Sequence, residues 1–150
     1  MIKILTLVDS FKHFETAIKE YEKRLGKECE IIKLKPEKNG SDEQIISKET
    51  DVLIQKLVKE NWIKIVLNPN GKNFSTEEFY NFIEEKKQIH KNIIFVIWWA
   101  LWIDYKKLKS HIDIEMNLWK MVLPHSLAIL VIIEQIYRIW MIKKWTSYHK

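Results

Sequence analysis

The spacing of apolar positions follows two different patterns along this chain of 150 residues. Short runs of apolar and β-branched residues predict strands, and longer runs with apolar residues three and four positions apart predict helices. The predicted strands are Ile2 to Val8, Glu30 to Leu34, Ile63 to Leu67, Asn92 to Ile97 and Leu118 to Leu123. The predicted helices are Phe11 to Leu25, Asp42 to Lys59, a helix that begins at Ser75, Ile103 to Ser110, and Pro124 to about Lys144.

Strands and helices alternate along the whole chain, which predicts an α/β fold with a mostly parallel sheet flanked by helices, formed by residues 1–150 as one domain. Ser75 and Glu78 have the spacing of a capping box, and Gly26 is placed to end the first helix. Asn68 to Gly71 predicts a tight turn, and Pro124 suits a first helical position. The last helix is apolar nearly all round, so we expect a second copy of the chain to cover one side of it, as in a homodimer.

The chain is moderately basic, with a net charge of +5 and a pI of about 9.1. This charge suits a polyanionic partner without establishing one. Lysine carries almost all of it, in clusters that are either solvated faces or contacts to RNA phosphates. These clusters are Lys86-Lys87, Lys106-Lys107-Lys109 and Lys143-Lys144.

Several classes of protein are disfavoured by the sequence. Cys29 is the single cysteine, so neither a disulfide within the chain nor a cysteine metal site is expected, and the histidines lack metal-ligand spacing. No leader is visible, and charged and polar residues interrupt the apolar stretch from Leu127 to Ile142 before it reaches the roughly 18 residues of a membrane span. The sequence therefore predicts a cytoplasmic protein that binds no metal.

Short motifs in a fixed order carry a resemblance to a known family. They are Glu20 to Leu25, Leu67 to Lys72 with Ser75, Phe95 to Ile97, Lys120 to His125, Ile133 to Arg138, and the tail Ser147 to Lys150. Each motif alone is weak, but together they run in register over nearly the whole chain. The chain resembles the ribosomal RNA large subunit methyltransferase H family, which methylates N3 of a pseudouridine.

The resemblance implies a SPOUT α/β knot, in which the C-terminal chain forms a trefoil, and a homodimer as the active unit. It implies that S-adenosylmethionine binds in the knot as methyl donor and that large-subunit rRNA in the assembled ribosome is the partner. The resemblance places the donor against three loops, near Leu67, near Trp98-Trp99 and from Leu118 to Leu123. The implied donor-binding residues are Leu67, Trp98, Trp99, Trp102, Leu118, Trp119, Lys120, Met121, Val122 and Leu123.

Methyl transfer to N3 needs a positioned donor and the removal of a proton. The candidate catalytic residues are His125, Arg138, Tyr148 and His149, with Glu134 as a further polar group, and we assign no general base. Each has a structural alternative. His125 suits a hydrogen-bonded residue at a helix start, Arg138 suits an ion pair with Glu134 four positions earlier, and Tyr148 and His149 suit an unconstrained tail.

Tryptophan stands where the family has small residues. Trp98, Trp99 and Trp102 occupy the glycine positions of a donor loop, Trp119 a serine or glycine position, and Trp145 a frequent glycine position. Glycine suits a tight turn that lies close to a ligand, and tryptophan would fill that space. One hypothesis is that UGA codons, read as glycine in the source organism, are translated here as tryptophan. Exchanging Trp98, Trp99, Trp102 and Trp145 would bring glycine from 3 to 7 and tryptophan from 7 to 3.

The rival hypothesis is a catalytically inactive homologue that binds RNA or the ribosome without methyl transfer. Ile129, where the family often has arginine, is a departure that recoding does not explain. A third alternative is an α/β dimer with an unrelated ligand, and only the motif order and the Tyr148-His149 tail argue against it.

Overall fold

Five parallel strands form one sheet in the order β2-β1-β4-β3-β5. The computed structural model describes residues 1–89, 92–98 and 103–144. The strands are β1 Ile2–Leu7, β2 Cys29–Leu34, β3 Ile63–Asn73, β4 Ile93–Ile97 and β5 Ile114–Asn117. The helices are α1 Glu15–Leu25, α2 Asp42–Val58, α3 Thr76–Ile89, α4 Tyr105–Lys109 and α5 His125–Lys143. The predicted α/β fold with a parallel sheet and flanking helices is confirmed.

Side chains of each central strand divide between two apolar cores, one on each face of the sheet. In β1, Ile4 belongs to the core that includes α1, α3 and α5, while Leu5 belongs to the core that includes α2 and α4. In β3, Ile65 and Val66 divide in the same way. Because both faces are covered, the central strands are apolar at consecutive positions instead of alternating with polar residues.

The fifth strand was predicted wrongly. It spans Ile114–Asn117, and Leu118 to Leu123 form a loop. Asp113 joins the start of β5 to β3, because its carboxylate accepts the N–H of Lys64 at 2.7 Å and its own N–H donates to Lys64 O at 3.0 Å. Asn117 then accepts the N–H of Trp119 at 2.9 Å, which turns the chain away from the sheet. The apolar residues after Asn117 line a cavity instead of pairing with a strand.

Two other boundaries differ from expectation. The first predicted helix opens as a 3-10 turn, Lys12–Phe14, before α1 begins, and Lys12 has a φ of 50°. Pro124 precedes the first helical residue of α5, and its carbonyl accepts the N–H of Ala128 at 2.9 Å. Gly26 ends α1 as predicted, with a φ of 53° that glycine tolerates.

The capping box at the start of α3 is confirmed. Ser75 N–H donates to Glu78 Oε2 at 2.7 Å, and Glu78 N–H donates to Ser75 Oγ at 3.2 Å. These two bonds satisfy backbone donors that a helix start leaves free. They also fix the position at which α3 begins after β3.

Helix α5 is the most apolar helix and a central part of the fold. By length and composition it could cross a membrane, as far as the described residues show. In this structure, however, it lies in the apolar core beside α1, where Tyr21 and Tyr137 have ring centroids 5.5 Å apart. Ile129 is fully buried in that core.

The predicted turn at Asn68 to Gly71 lies inside β3 as a bulge. Met116 of β5 pairs with Leu67 before the bulge and with Lys72 after it. A Cβ atom added at Gly71 would lie 2.6 Å from Met116 N and 2.7 Å from Glu115 C. Glycine is therefore required here by the close approach of two backbones.

Gly71→Ala is expected to lower the free energy of unfolding by about 1–3 kcal/mol, because the added methyl group must push β5 away from β3. Urea denaturation would measure the change. Asn70→Ala, in the same bulge with an exposed side chain, is the matched control and should change stability by under about 0.5 kcal/mol. Equal stability of the two variants would contradict this account of the bulge.

Candidate active site

The carboxyl ends of β3, β4 and β5 meet at one edge of the sheet, because neighbouring parallel strands end on the same side. A cavity of about 100 Å³ lies at this edge. Its walls come from the bulge within β3, from the ends of β4 and β5 with the residues that follow them, and from the start of α5. They are Leu67, Asn68, Pro69, Ile97, Trp98, Met116, Asn117, Leu118, Trp119, Met121, Val122, Leu123, His125 and Ala128. We call it the three-loop cavity.

Most of the predicted donor-binding residues line the three-loop cavity. They are Leu67, Trp98, Leu118, Trp119, Met121, Val122 and Leu123. Lys120 is exposed and is not part of the lining. Trp99 and Trp102 lie outside the described residues. Trp119, Met121 and Val122 are 57%, 68% and 80% exposed, so their apolar side chains stand largely in solvent beside the cavity.

Polar residues that the sequence analysis missed hold the first loop in place. Asn68 Nδ2 donates to Glu115 Oε2 at 2.9 Å, and the hydroxyl of Tyr105 donates to Glu115 Oε1. Asn117 Nδ2 donates to the carbonyl of Pro69 at 2.9 Å. Asn68, directly after a predicted strand, was the available signal, but the partners of the two asparagines are distant in sequence: Glu115 on β5 for Asn68 and Pro69 in β3 for Asn117. These bonds fix two walls of the three-loop cavity relative to each other.

His125 lies at the base of the cavity and is 7% exposed. Its Nε2 lies 2.5 Å from Thr6 Oγ1, which joins the start of α5 to β1. Burial lowers the pKa of His125 to about 4, so the imidazole is neutral at physiological pH. The structural interpretation of His125 is therefore supported, and the same side chain faces the candidate site.

Arg138 forms the ion pair that was its structural alternative. Its Nη2 and Nε lie 2.7 and 3.1 Å from Glu134 Oε1. Gln135 Nε2 donates to Glu134 Oε2 at 2.6 Å and its Oε1 accepts the hydroxyl of Thr76 at 3.0 Å. Arg138 and Glu134 do not line the three-loop cavity. Tyr148 and His149 lie outside the described residues, as does Trp145.

The lysine clusters each contribute an ion pair. Lys86 lies 2.7 Å from Glu85, Lys143 lies 2.9 Å from Glu84, and Lys107 pairs with Asp51. Such surface pairs are typically worth at most about 1 kcal/mol. Cys29 is buried in β2, and burial raises the pKa of its thiol to about 12, so it is an inert core residue.

Comparison with known proteins identifies the family to which this chain belongs. The family described as "Predicted SPOUT methyltransferase" matches residues 1–149. This match spans nearly the whole chain, and the chain belongs to the SPOUT methyltransferase family.

Individual relatives show which kind of methyltransferase the chain is similar to. The chain is 35% identical over 148 residues to a ribosomal RNA large subunit methyltransferase H of Streptococcus suis, covering 93% of this chain and 92% of the relative. It is 33% identical over 137 residues to a putative ribosomal RNA large subunit methyltransferase H of Methanocorpusculum labreanum, covering 91% and 86%. The resemblance seen in the sequence motifs is confirmed.

Because the pKa of His125 is lower in the folded chain than its ordinary value of 6.5, the unfolded state takes up a proton first as pH falls. The stability that neutral His125 provides is complete above pH 6.5 and is lost as pH falls toward about 4. Relative to His125→Gln, the native chain should lose on the order of 3 kcal/mol over this range. Chemical denaturation at several pH values would measure it.

His13→Gln is the matched control, since His13 is exposed. It should keep the loss of stability that His125 causes as pH falls. Parallel pH profiles for the native chain and His125→Gln would contradict a buried neutral imidazole.

Proposed function

We propose that this chain is an S-adenosylmethionine-dependent methyltransferase that modifies N3 of a pseudouridine in large-subunit ribosomal RNA. The named activity of the relatives supports the RNA class, and the sequence motifs support the position on the base. Residues 1–150 would form a single catalytic domain in the cytoplasm, acting on the assembled ribosome.

The observation that carries the proposal is the composition of one cavity. Leu67, Trp98 and the loop from Leu118 to Leu123 are far apart in sequence, yet they line the same space. These are the segments expected to hold the donor. Their apolar side chains would contact the adenosine, and backbone groups of these loops would bind its polar atoms.

The role of this chain's residues would be to position the two reactants. S-adenosylmethionine, when bound, supplies an electrophilic methyl group. Asn68, Glu115 and Asn117 would keep the first and third loops at a fixed separation, and neutral His125 would add no positive charge beside a cationic donor. Orientation of this kind supplies much of the rate enhancement in group transfer.

The three-loop cavity is too small for the donor. It is about 100 Å³, whereas pockets for ligands of this size measure roughly 300–1,000 Å³. The half-buried side chain of Trp98 is one of its walls. A glycine at this position would remove that wall. The lining residues suit the donor in chemical character, but the space with Trp98 in place does not suit its size.

This disagreement favours a second candidate function, a catalytically inactive homologue that binds RNA without the donor. Reading the codons for residues 98, 99, 102, 119 and 145 in the source DNA separates the two. UGA at these positions with UGG for Trp140 would restore glycines to the cellular protein and support the enzyme. UGG throughout would support the inactive homologue.

The proposed assembly is a knotted homodimer. Helix α5 has apolar residues that the single chain covers only partly, and these would be buried by a partner. They are Leu127, Leu130, Val131, Met141 and Ile142. The tail from residue 145 to 150, which includes Tyr148 and His149, would reach the acceptor base.

Trp98→Gly is expected to bind S-adenosylmethionine at least about tenfold more tightly than the chain with tryptophan, because removing the indole relieves overpacking against the ligand. Isothermal titration calorimetry would measure both dissociation constants. Trp62→Gly is the matched control, since Trp62 lies before β3 at the opposite edge of the sheet and outside the three-loop cavity. Equal, undetectable binding by all three proteins would contradict the donor site.

A further inference from the structure

A second and larger cavity lies at the carboxyl ends of β1 and β2. Its volume is about 710 Å³, within the range of ligand pockets. The segments after β1 and β2, helix α2 and the start of α5 surround it, and Trp98 and His125 line both this cavity and the three-loop cavity. We call it the second cavity.

Helix α2 places a buried carboxylate in the lining of the second cavity. Glu49 is 5% exposed, and its Oε1 accepts the N–H of Glu37 at 2.8 Å. Its Oε2 has no hydrogen-bond or ion-pair partner among the residues that the structure describes. Burial raises the pKa of Glu49, because the charged carboxylate loses solvent there. A ligand with N–H groups directed at this carboxylate would restore the hydrogen bonds that burial removes.

The other carboxylates of the lining already have partners. Asp9 Oδ2 lies 3.1 Å from Lys38 Nζ, and the Glu37 carboxylate accepts two backbone N–H groups and lies 3.6 Å from Lys48 Nζ. Lys12 is exposed at the rim and has no ion-pair partner in the described part of the chain. The second cavity therefore combines an incompletely satisfied anion inside with an unpaired cation at its rim.

Apolar side chains form much of the remaining wall. Phe14 and Pro36 contribute flat surfaces, and Leu7, Val8 and Ile45 contribute aliphatic ones. Flat apolar surface of this kind suits the face of an aromatic ring system, such as a nucleobase. The lining thus favours a ligand that has a planar ring, N–H donors on one edge of that ring, and an anionic group at a distance from it.

We propose that the second cavity binds a free guanine nucleotide, with the N1–H and N2–H₂ donors of the base on the Glu49 carboxylate and the phosphate at Lys12. Among the common bases, guanine alone places two donors side by side on one edge, where a carboxylate accepts both. Adenine and cytosine place a ring nitrogen acceptor beside their amino group. Uracil flanks its N–H with two carbonyl oxygens, so each of these three bases sets an acceptor against the carboxylate.

The charges of the rim favour a free nucleotide over guanine within an RNA strand. Lys12 is one unpaired cation and suits one phosphate group, whereas Asp9 and Glu37 on the same lining would repel the further phosphates of a strand. An arginine side chain also carries paired N–H donors, but its positive charge would share the cavity with that of Lys12. The proposed site is separate from the methyl transfer.

Binding of guanosine 5′-monophosphate to the ¹⁵N-labelled full chain tests the proposal, followed by the backbone NMR signals of Ser10 to Phe14 and of Glu49. Saturable shifts of these signals are expected. Adenosine and uridine 5′-monophosphates should bind at least about tenfold more weakly, because each sets an acceptor against the carboxylate. Inosine 5′-monophosphate, which lacks only the N2 amino group, should bind about tenfold more weakly because one charge-assisted hydrogen bond is lost.

Glu49→Gln tests the contact with the base. The variant retains an oxygen for the Glu37 N–H, but an amide NH₂ replaces the free carboxylate oxygen. It should bind guanosine 5′-monophosphate at least about tenfold more weakly than the native chain does. It should also prefer xanthosine 5′-monophosphate, whose C2 carbonyl accepts from the new amide. A merely structural defect would weaken both nucleotides, and circular dichroism would establish that the variant is folded.

Lys12→Asn tests the contact with the phosphate. Asparagine tolerates the positive φ of 50° at this position and removes the cation. The variant should bind guanosine 5′-monophosphate about tenfold more weakly and should bind guanosine, which has no phosphate, as the native chain does. Lys56→Gln, an exposed lysine of α2 outside the second cavity, is the matched control and should leave both affinities unchanged.

The proposal is overturned if guanosine 5′-monophosphate leaves these signals unshifted, or if adenosine 5′-monophosphate binds equally well. It is also overturned if folded Glu49→Gln keeps the native preference for guanine over xanthine. Tighter binding of a single-stranded RNA pentamer with a central guanosine would assign the cavity to RNA, and binding of L-arginine in place of the nucleotide would assign it to a cation. The titrations require no S-adenosylmethionine, so their outcome is independent of the proposed methyl transfer.

Discussion

Strand β4 is the constraint on which the rest of this structure depends. It is hydrogen-bonded in parallel to β1 on one side and β3 on the other, and all five of its residues are buried. Its position divides the carboxyl edge of the sheet into two halves. The bulge of β3 and the segment after β5 surround one cavity, and the segments after β1 and β2 surround the other. Trp98, the first residue after β4, necessarily lies between them.

The start of α5 completes this division. His125 is anchored to Thr6 of β1, and its helix continues into the core beside α1. Because the anchoring imidazole is neutral and buried, the helix start is tied to the sheet without placing a charge between the two cavities. Folding and site formation thus depend on the same contact. A change at this contact would alter both cavities and the packing of the most apolar helix.

The features that depend on a local sequence pattern could be predicted from the sequence. The apolar runs of β1 and β4, the stop at Gly26 and the capping box at Ser75 each have a physical signal within a few residues. The fifth strand was misplaced because Leu118 to Leu123 has a strand-like composition, while its partner choice is decided by Asp113 and Lys64, 49 residues apart. The strand propensity of a short segment carries no information about a contact between residues so far apart in sequence.

The contacts of the candidate site could not be predicted for the same reason, because they join residues that are distant in sequence. Family resemblance pointed to the three loops, but the asparagines and Glu115 that fix them became visible only once β3 and β5 were paired. The second cavity, at the carboxyl ends of β1 and β2, had no signal in the sequence, because its lining comes from segments that are far apart along the chain.

The central claim is that this chain transfers a methyl group to large-subunit ribosomal RNA. The most direct measurement is to incubate the protein, with the residues that its own codons specify, with large ribosomal subunits lacking the modification and S-adenosylmethionine labelled in its methyl group. Nuclease digestion and mass spectrometry would then identify the labelled nucleoside. The account predicts a single labelled product, a pseudouridine methylated at N3. No label in the RNA, from a protein that carries glycine at positions 98, 99 and 102, would contradict it.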